Sequence, residues 1–263
     1  VNLVRQFTQE SARQIHVFKI PFKSSNKGSI ESPNLRINNT FASVKLWSQT
    51  TALLKREILL EQRQKYVLYG VLLYVVSTVF VAKFSFRVLK DIPVWNALLW
   101  VILLFAAVTG VARSFAQETR GRLLYLYTLA DPRAILLAKL IYNALLMTVL
   151  GFAGLAIFAF LVGYPVGNTP LFLLTLFLGC TGLAAAFTMI SAIASKAGNN
   201  FTLMAILGFP VVLPMMLAAI KVSKHAADGF GWDGVLNYLG VLAALNVVVI
   251  TLAYLLFPYL WRD

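Results

Sequence analysis

The chain has 263 residues, of which 59% are hydrophobic and 13% charged, and its formal net charge is +13. A soluble domain carries about 45–50% apolar and about 25% charged residues, so this composition excludes a soluble globular fold. In a membrane protein a basic excess belongs to cytoplasmic segments, and with no recognition motif beside it the charge gives no case for nucleic-acid binding.

Residues 1–45 hold seven basic residues against Glu10 and Glu31, with Ser, Asn and Pro scattered through "KSSNKGSIESPN". They read as a disordered cytoplasmic tail with a faint transit-peptide character, and no domain is assigned to them. Val1 opens the chain and the first methionine is Met147, so a non-Met start, an over-extended gene start or a fragment is expected. The following stretch, 46–65, repeats Leu46, Trp47, Leu53, Leu54, Ile58 and Leu59 at helical spacing. Lys55, Arg56, Glu57, Glu61 and Arg63 fall largely on the other face. That pattern predicts a helix lying in the plane of the membrane interface.

From there to the C-terminus, 46–263, the chain reads as one permease domain of six transmembrane helices. The predicted spans are 66–82, 94–112, 135–162, 171–194, 201–220 and 235–260, each long enough at about 1.5 Å per residue to cross about 30 Å of hydrocarbon. With the N-terminus inside, the inner segments hold seventeen Lys and Arg residues and the outer loops five. Both termini are therefore expected in the cytoplasm. Lys139, one turn into the third span, is expected to snorkel to the inner face. Trp95, Tyr164, Trp232, Tyr238 and Trp261 fall near span ends, where amphipathic rings favour the headgroup region.

Between spans two and three lies "QETRGRLLYLYTLADPRA", Gln117 to Ala134. Its run "LLYLYTL" can pack under a membrane while Glu118, Arg120, Arg122 and Asp131 face the cytoplasm. Gly121 is a conformationally permissive point, and Pro132 closes the segment and opens the next span. In the fifth span "GFPVVLPMM" puts Pro210 and Pro214 four residues apart, near one helical face. Each removes a backbone hydrogen bond, which suits a static kink and a hinge equally.

The spans contain no Asp or Glu, which argues against an ion pump or ion-coupled carrier. Asn96, Asn143 and Asn246 are read as interhelical hydrogen-bonding residues, and Gly151, Gly154, Gly179, Gly182 and Ala184 to Ala186 as close-packing faces. The histidines are His16 in the tail and His225 in an outer loop; His225 is a weak candidate haem ligand. Cys180 is the single cysteine, so the chain has no internal disulfide and no Cys-rich metal site. Catalytic triads, paired carboxylates, metal-binding His motifs and a phosphate-binding loop are all missing from the sequence, so no metal site or catalytic residue is assigned. If nucleotide energy drives this protein, another chain supplies the ATPase.

A short inner-face helix between spans two and three, preceded by an interfacial N-terminal helix, resembles the membrane half of an ABC-2-type exporter. More closely, "FAQETRGRLLYLYTLADPRAILLAKLIYN" (115–143) is similar to the corresponding region of the cytochrome c-type biogenesis protein B family, also called haem exporter protein B. Glu118, Gly121, Leu123, Leu126, Leu129, Pro132 and Lys139 stand at that region's characteristic positions. A second match, "GLAAAFTMISAIASKAGNNFTLMAILGFPVVLPMMLAA" (182–219), resembles the family's Gly-rich fourth helix, inner turn and paired-proline fifth helix. The resemblance covers roughly 47–262. The tail and the tyrosine-rich inner segment depart from it.

The resemblance implies a non-catalytic subunit of the bacterial inner membrane that binds no cofactor itself. It implies a separate ATP-binding subunit, a second copy of the chain, and a haem-handling membrane protein with a small tether. In such a complex ATP hydrolysis serves release of a haem-loaded chaperone during c-type cytochrome assembly. Glu118, Arg120, Gly121, Arg122, Leu123, Leu126, Asp131 and Pro132 would form the coupling contact, and Pro210 and Pro214 the hinge. Two alternatives stay open: an ABC-2 permease for polysaccharide, lipid or drug, and a membrane scaffold that transports nothing.

Overall fold

The computed structural model describes residues 35–63, 66–85, 91–111, 114–115, 130–196, 201–232 and 234–260. Among them the chain forms seven α-helices: α1 Leu35–Arg63, α2 Tyr66–Ser85, α3 Ile92–Gly110, α4 Pro132–Val162, α5 Thr169–Lys196, α6 Phe201–Ala227 and α7 Leu236–Leu260. The bundle belongs to the second of two compact units, Val1–Asn39 and Thr40–Asp263; of the first, Leu35–Asn39 is described, as the opening of α1. Residues 1–34 of the expected tail lie outside the described residues. Helix α1 begins at Leu35, well before position 46 and two residues after Pro33, and it runs through the weak helix formers Asn38, Asn39 and Thr40.

Among the described residues five helices are long and apolar enough to span a membrane: Ile92–Gly110, Pro132–Val162, Thr169–Lys196, Ile206–Ala227 and Leu236–Tyr259. The first expected span, 66–82, corresponds to α2, whose apolar part Tyr69–Ser85 is shorter. Helix ends differ from the apolar runs where polar residues cap or extend them. Asp131 and Pro132 start α4 three residues ahead of the predicted Ile135. Helix α6 continues past Ile220 to Ala227, because Val222, Ser223 and Ala226 turn a buried face to the bundle while Lys221 and Lys224 point out.

Helix α5 is the centre. Of its apolar window 72% is buried, against 22% for α7 at the edge, and it packs on α3, α4, α6 and α7. Its composition explains the position. Without a large hydrophobic drive between helices in lipid, close approach depends on small residues. Gly179 meets the ring of Trp100 on α3, and Gly182 meets Met215 on α6 and Asn246 on α7. From the α4 side, Gly151 meets Cys180. Ala184, Ala185 and Ala186 are buried as the sequence predicts. Helix α2 instead buries a single stripe, Val71, Val75, Val79 and Ala82, and exposes Leu73, Val81 and Phe84. That asymmetry suits a helix with lipid on one side.

The three span asparagines tie helices together as expected. The Nδ2 of Asn96 donates to the carbonyl of Ile220 (3.0 Å), that of Asn143 to Thr188 Oγ1 (2.8 Å), and that of Asn246 to the carbonyl of Leu178 (3.2 Å). Trp95 departs from expectation. It is fully buried, donates from Nε1 to the carbonyl of Gly163 (3.1 Å), and packs against Phe158 and Phe172. Lying at the start of α3, it satisfies its N–H inside the bundle and has no need of headgroups. Tyr164, Trp232 and Tyr238 are exposed; Trp261 lies outside the described residues.

Candidate functional site

One end of the bundle, where the chain leaves α3 and returns into α4, is tied together by side-chain hydrogen bonds from several helices. Helix α3 ends at Gly110, and the N–H of Val111 still bonds to the carbonyl of Ala107 (2.8 Å). A turn follows, with Ser114 N–H donating to the carbonyl of Val111 (2.9 Å). Ser114 and Phe115 are then fixed from three other helices. The Ser114 carbonyl accepts from Lys139 Nζ (3.0 Å) and its Oγ from Asn143 Nδ2 (3.0 Å), both on α4. The N–H of Phe115 donates to Ser191 Oγ on α5 (3.1 Å). Its buried ring lies 5.6 Å, centre to centre, from that of Phe257 on α7. A backbone turn tied by charge-assisted and neutral bonds to separate helices has little freedom to shift alone.

The return point is capped. Asp131 is extended at the N-cap of α4, and its Oδ1 accepts from the N–H of Arg133 (2.9 Å), while Pro132 takes the first turn, where a missing N–H costs nothing. The Asp131 N–H donates to Gln49 Oε1 on α1 (3.3 Å). Leu53 of α1 packs with Ala134, Ile135 and Ala138 just beyond. Arg133 lies over the ring of Tyr254 on α7, 5.2 Å from its centre.

Lys139 does not snorkel outward. It is 2% exposed, and its Nζ lies 3.6 Å from Glu57 Oε1 and 5.0 Å from the centre of the Phe115 ring, besides the Ser114 carbonyl. An ammonium group taken out of water needs such partners, and Glu57 and the turn supply them where solvent cannot. Glu57 also meets Arg56 at 3.5 Å.

Of the residues singled out from sequence, Asp131 and Pro132 sit at this junction, as the cap and first residue of α4. Glu118, Arg120, Gly121, Arg122, Leu123 and Leu126 lie outside the described residues, between the two fixed ends. Pro210 and Pro214 lie within α6 on an exposed face with Ile206, Leu213 and Leu217. His225 is in the last helical turn of α6, not in a loop, because the helix outruns the apolar segment. Its ring lies 5.0 Å from that of Phe230, and its Nε2 is buried. Neither the prolines nor His225 touch the junction residues. No group of three or more His, Cys, Asp and Glu stands together among the described residues.

Sequence reasoning missed Gln49, Glu57, Ser114, Phe115 and Ser191. One signal was available: a lysine inside a span calls for a carboxylate, and the chain has just ten acidic residues. Which of them lies near Lys139 depends on how α1 docks, and no spacing rule reaches from 57 to 139.

No curated protein and no solved structure matches the chain. The family model described as CcmB protein matches residues 48–259, from within α1 almost to the end of α7. The chain is accordingly a multi-pass membrane protein and belongs to the cytochrome c-type biogenesis protein B family, associated with haem export.

Proposed function

We propose that this chain is the membrane (permease) subunit of an ABC transporter complex acting in c-type cytochrome biogenesis, with α2 as the first of six spans. Residues 114–132 form the coupling element on the cytoplasmic side, and a separate ATP-binding subunit docks there and hydrolyses ATP. Haem is the cargo of partner proteins, and the coupled step is release of a haem-loaded chaperone at the outer face. The complex lies in a bacterial inner membrane, with both termini in the cytoplasm and a second copy of the chain beside the first.

The observation that carries this reading is the anchoring of both ends of 114–132. Ser114 and Phe115 are held by Lys139, Asn143, Ser191 and Phe257, and Asp131 is held by its own cap and by Gln49. A segment that receives a push from a soluble subunit transmits it when its ends are rigidly joined to the helices that must move. Here the joins reach α4, α5 and α7 at one end and α1 at the other. Pro210 and Pro214 give α6 two places without a backbone donor, at which it can bend in response.

The test is purification of the chain in mild detergent with identification of its partners by mass spectrometry. An ATP-binding subunit together with haem-handling proteins supports the proposal. An ATP-binding subunit with glycan or lipid enzymes keeps the architecture and replaces the cargo. Recovery without any ATP-binding protein points to a scaffold.

A further inference from the structure

Helix α6 carries an exposed stripe whose character changes towards the α6–α7 end. Pro214 and Leu217 are exposed, and so is Lys221, one turn further on. The Lys221 ammonium lies 4.9 Å from the centre of the Tyr238 ring, which stands in the first turn of α7. Val241 and Leu245 follow Tyr238 at three and seven residues, on the same side of α7; Val241 is exposed and Leu245 partly buried. The two helices pack together. The seam between them is therefore apolar along its length and cationic at its mouth.

Lys221 keeps its hydrogen-bonding capacity, because a ring face attracts an ammonium group without taking its N–H donors. Among the described residues no carboxylate meets it, whereas Lys224 pairs with Asp228 at 3.8 Å; Asp233 lies outside the described residues. Phe230 and Trp232 are exposed on the turn above. That turn is fixed: the N–H of Phe230 donates to the carbonyl of His225 (3.3 Å), and its carbonyl accepts from Asn168 Nδ2 (3.0 Å). Exposed aromatic rings beside a cation at a span end mark the headgroup level. We propose that the seam between α6 and α7 binds an anionic phospholipid, its phosphate accepting from Lys221 Nζ and an acyl chain lying over Pro214, Leu217, Val241 and Leu245.

The apolar part selects an acyl chain, which a free phosphate ion would leave uncovered. The bond from ammonium to phosphate is charge-assisted, and it strengthens where the dielectric falls at the edge of the hydrocarbon. Tyr238 has a positioning role: a lysine already held over its ring has less freedom to lose when the lipid arrives. A lysine near an anionic surface contributes about a fivefold gain in affinity. In a built site that gain belongs to one residue, whereas a cation that acts only through its field is replaceable by any other at the same end. Lys83, in the last turn of α2, is such another cation. With the termini in the cytoplasm the lipid belongs to the outer leaflet, but the site itself depends neither on that orientation nor on an ATP-binding partner.

The test uses the full chain in a nonionic detergent, titrated with phosphatidylglycerol or phosphatidylcholine while native mass spectrometry counts the lipids bound. Wild type should bind phosphatidylglycerol about fivefold more tightly than phosphatidylcholine, and Lys221→Gln should remove that preference. Lys83→Gln, which removes the same charge at the same end, should keep it. Tyr238→Leu should weaken phosphatidylglycerol binding about threefold. Phosphatidylglycerol with a photoreactive acyl chain should crosslink to α6 within 210–217 or to α7 within 241–248, and millimolar inorganic phosphate should not displace it. An undiminished preference in Lys221→Gln, an equal loss in Lys83→Gln, displacement by inorganic phosphate, or crosslinks confined to other helices would each overturn the proposal. Binding unchanged in Tyr238→Leu overturns the role of the ring. If Lys221→Gln does not fold, the crosslinks formed by the wild-type chain decide.

Discussion

The ring of Trp100 fills the space that a side chain on Gly179 would need. Its Nε1 also donates to Ser223 Oγ (2.8 Å), so one indole joins α3, α5 and α6. Gly179→Ala should therefore destabilise the bundle by about 1–3 kcal/mol through overpacking, and Gly179→Leu by more. Ser223→Ala, which leaves the indole N–H buried without its acceptor, should cost about 1–3 kcal/mol. Cys180, buried and the chain's single cysteine, supplies the reporter. The temperature at which a thiol-reactive dye labels it should fall in the order wild type, Gly179→Ala, Gly179→Leu.

Asn143 bridges Ser114 Oγ and Thr188 Oγ1, so it serves both the bundle and the junction. Asn143→Leu should cost about 1–2 kcal/mol, the range for interhelical hydrogen bonds in membranes. Thr188→Val removes just the second partner and should cost less. Unfolding in mixed micelles measures both, and equal stability of Asn143→Leu and wild type would refute the assignment.

At the opposite end, Gly167 and Gly229 pack backbone to backbone, and the N–H of Gly167 donates to the carbonyl of Ala227 (3.1 Å). Gly229 has φ +84°, a conformation that costs an L-residue about 1–2 kcal/mol. Both Gly229→Ala and Gly167→Ala should lower the melting temperature, the first by backbone strain and the second by collision with Gly229. Gly231, in open space, should accept alanine without effect.

Pro210 and Pro214 lie on the exposed side of an otherwise continuous helix, so neither is there to fill the core. Replacing both by alanine restores two backbone donors and should raise thermal stability. If α6 bends during the cycle, the same variant should keep its ATP-binding partner and lose most of the coupled activity. Wild-type activity in that variant would make the prolines a static kink.

How far the sequence carried can be judged from individual residues. The spans were legible because their length is set by the bilayer, and the glycines and asparagines because both have few uses inside lipid. Helix α1 is legible as amphipathic, but spacing puts Leu53 with Trp47 and Ile58, whereas Leu53 is buried against α4 and the other two are exposed. Trp95 was misplaced since the boundary rule cannot tell a ring at a span end facing lipid from one facing the bundle. Lys139 stands out as a cation inside a span, but a partner 82 positions away follows from docking rather than from any local pattern. The anchoring role of Asp131 was hidden for the same reason, as half of it belongs to Gln49.

The central claim is that an ATP-binding subunit docks on the segment between Phe115 and Asp131. A photo-crosslinking residue placed at Glu118 or Arg122, and for comparison at Lys221 at the opposite end, tests it most directly in intact cells. The account predicts a crosslinked ATP-binding subunit from the first two positions and none from Lys221. Crosslinking that is absent at 118 and 122, or equally strong from Lys221, would contradict it.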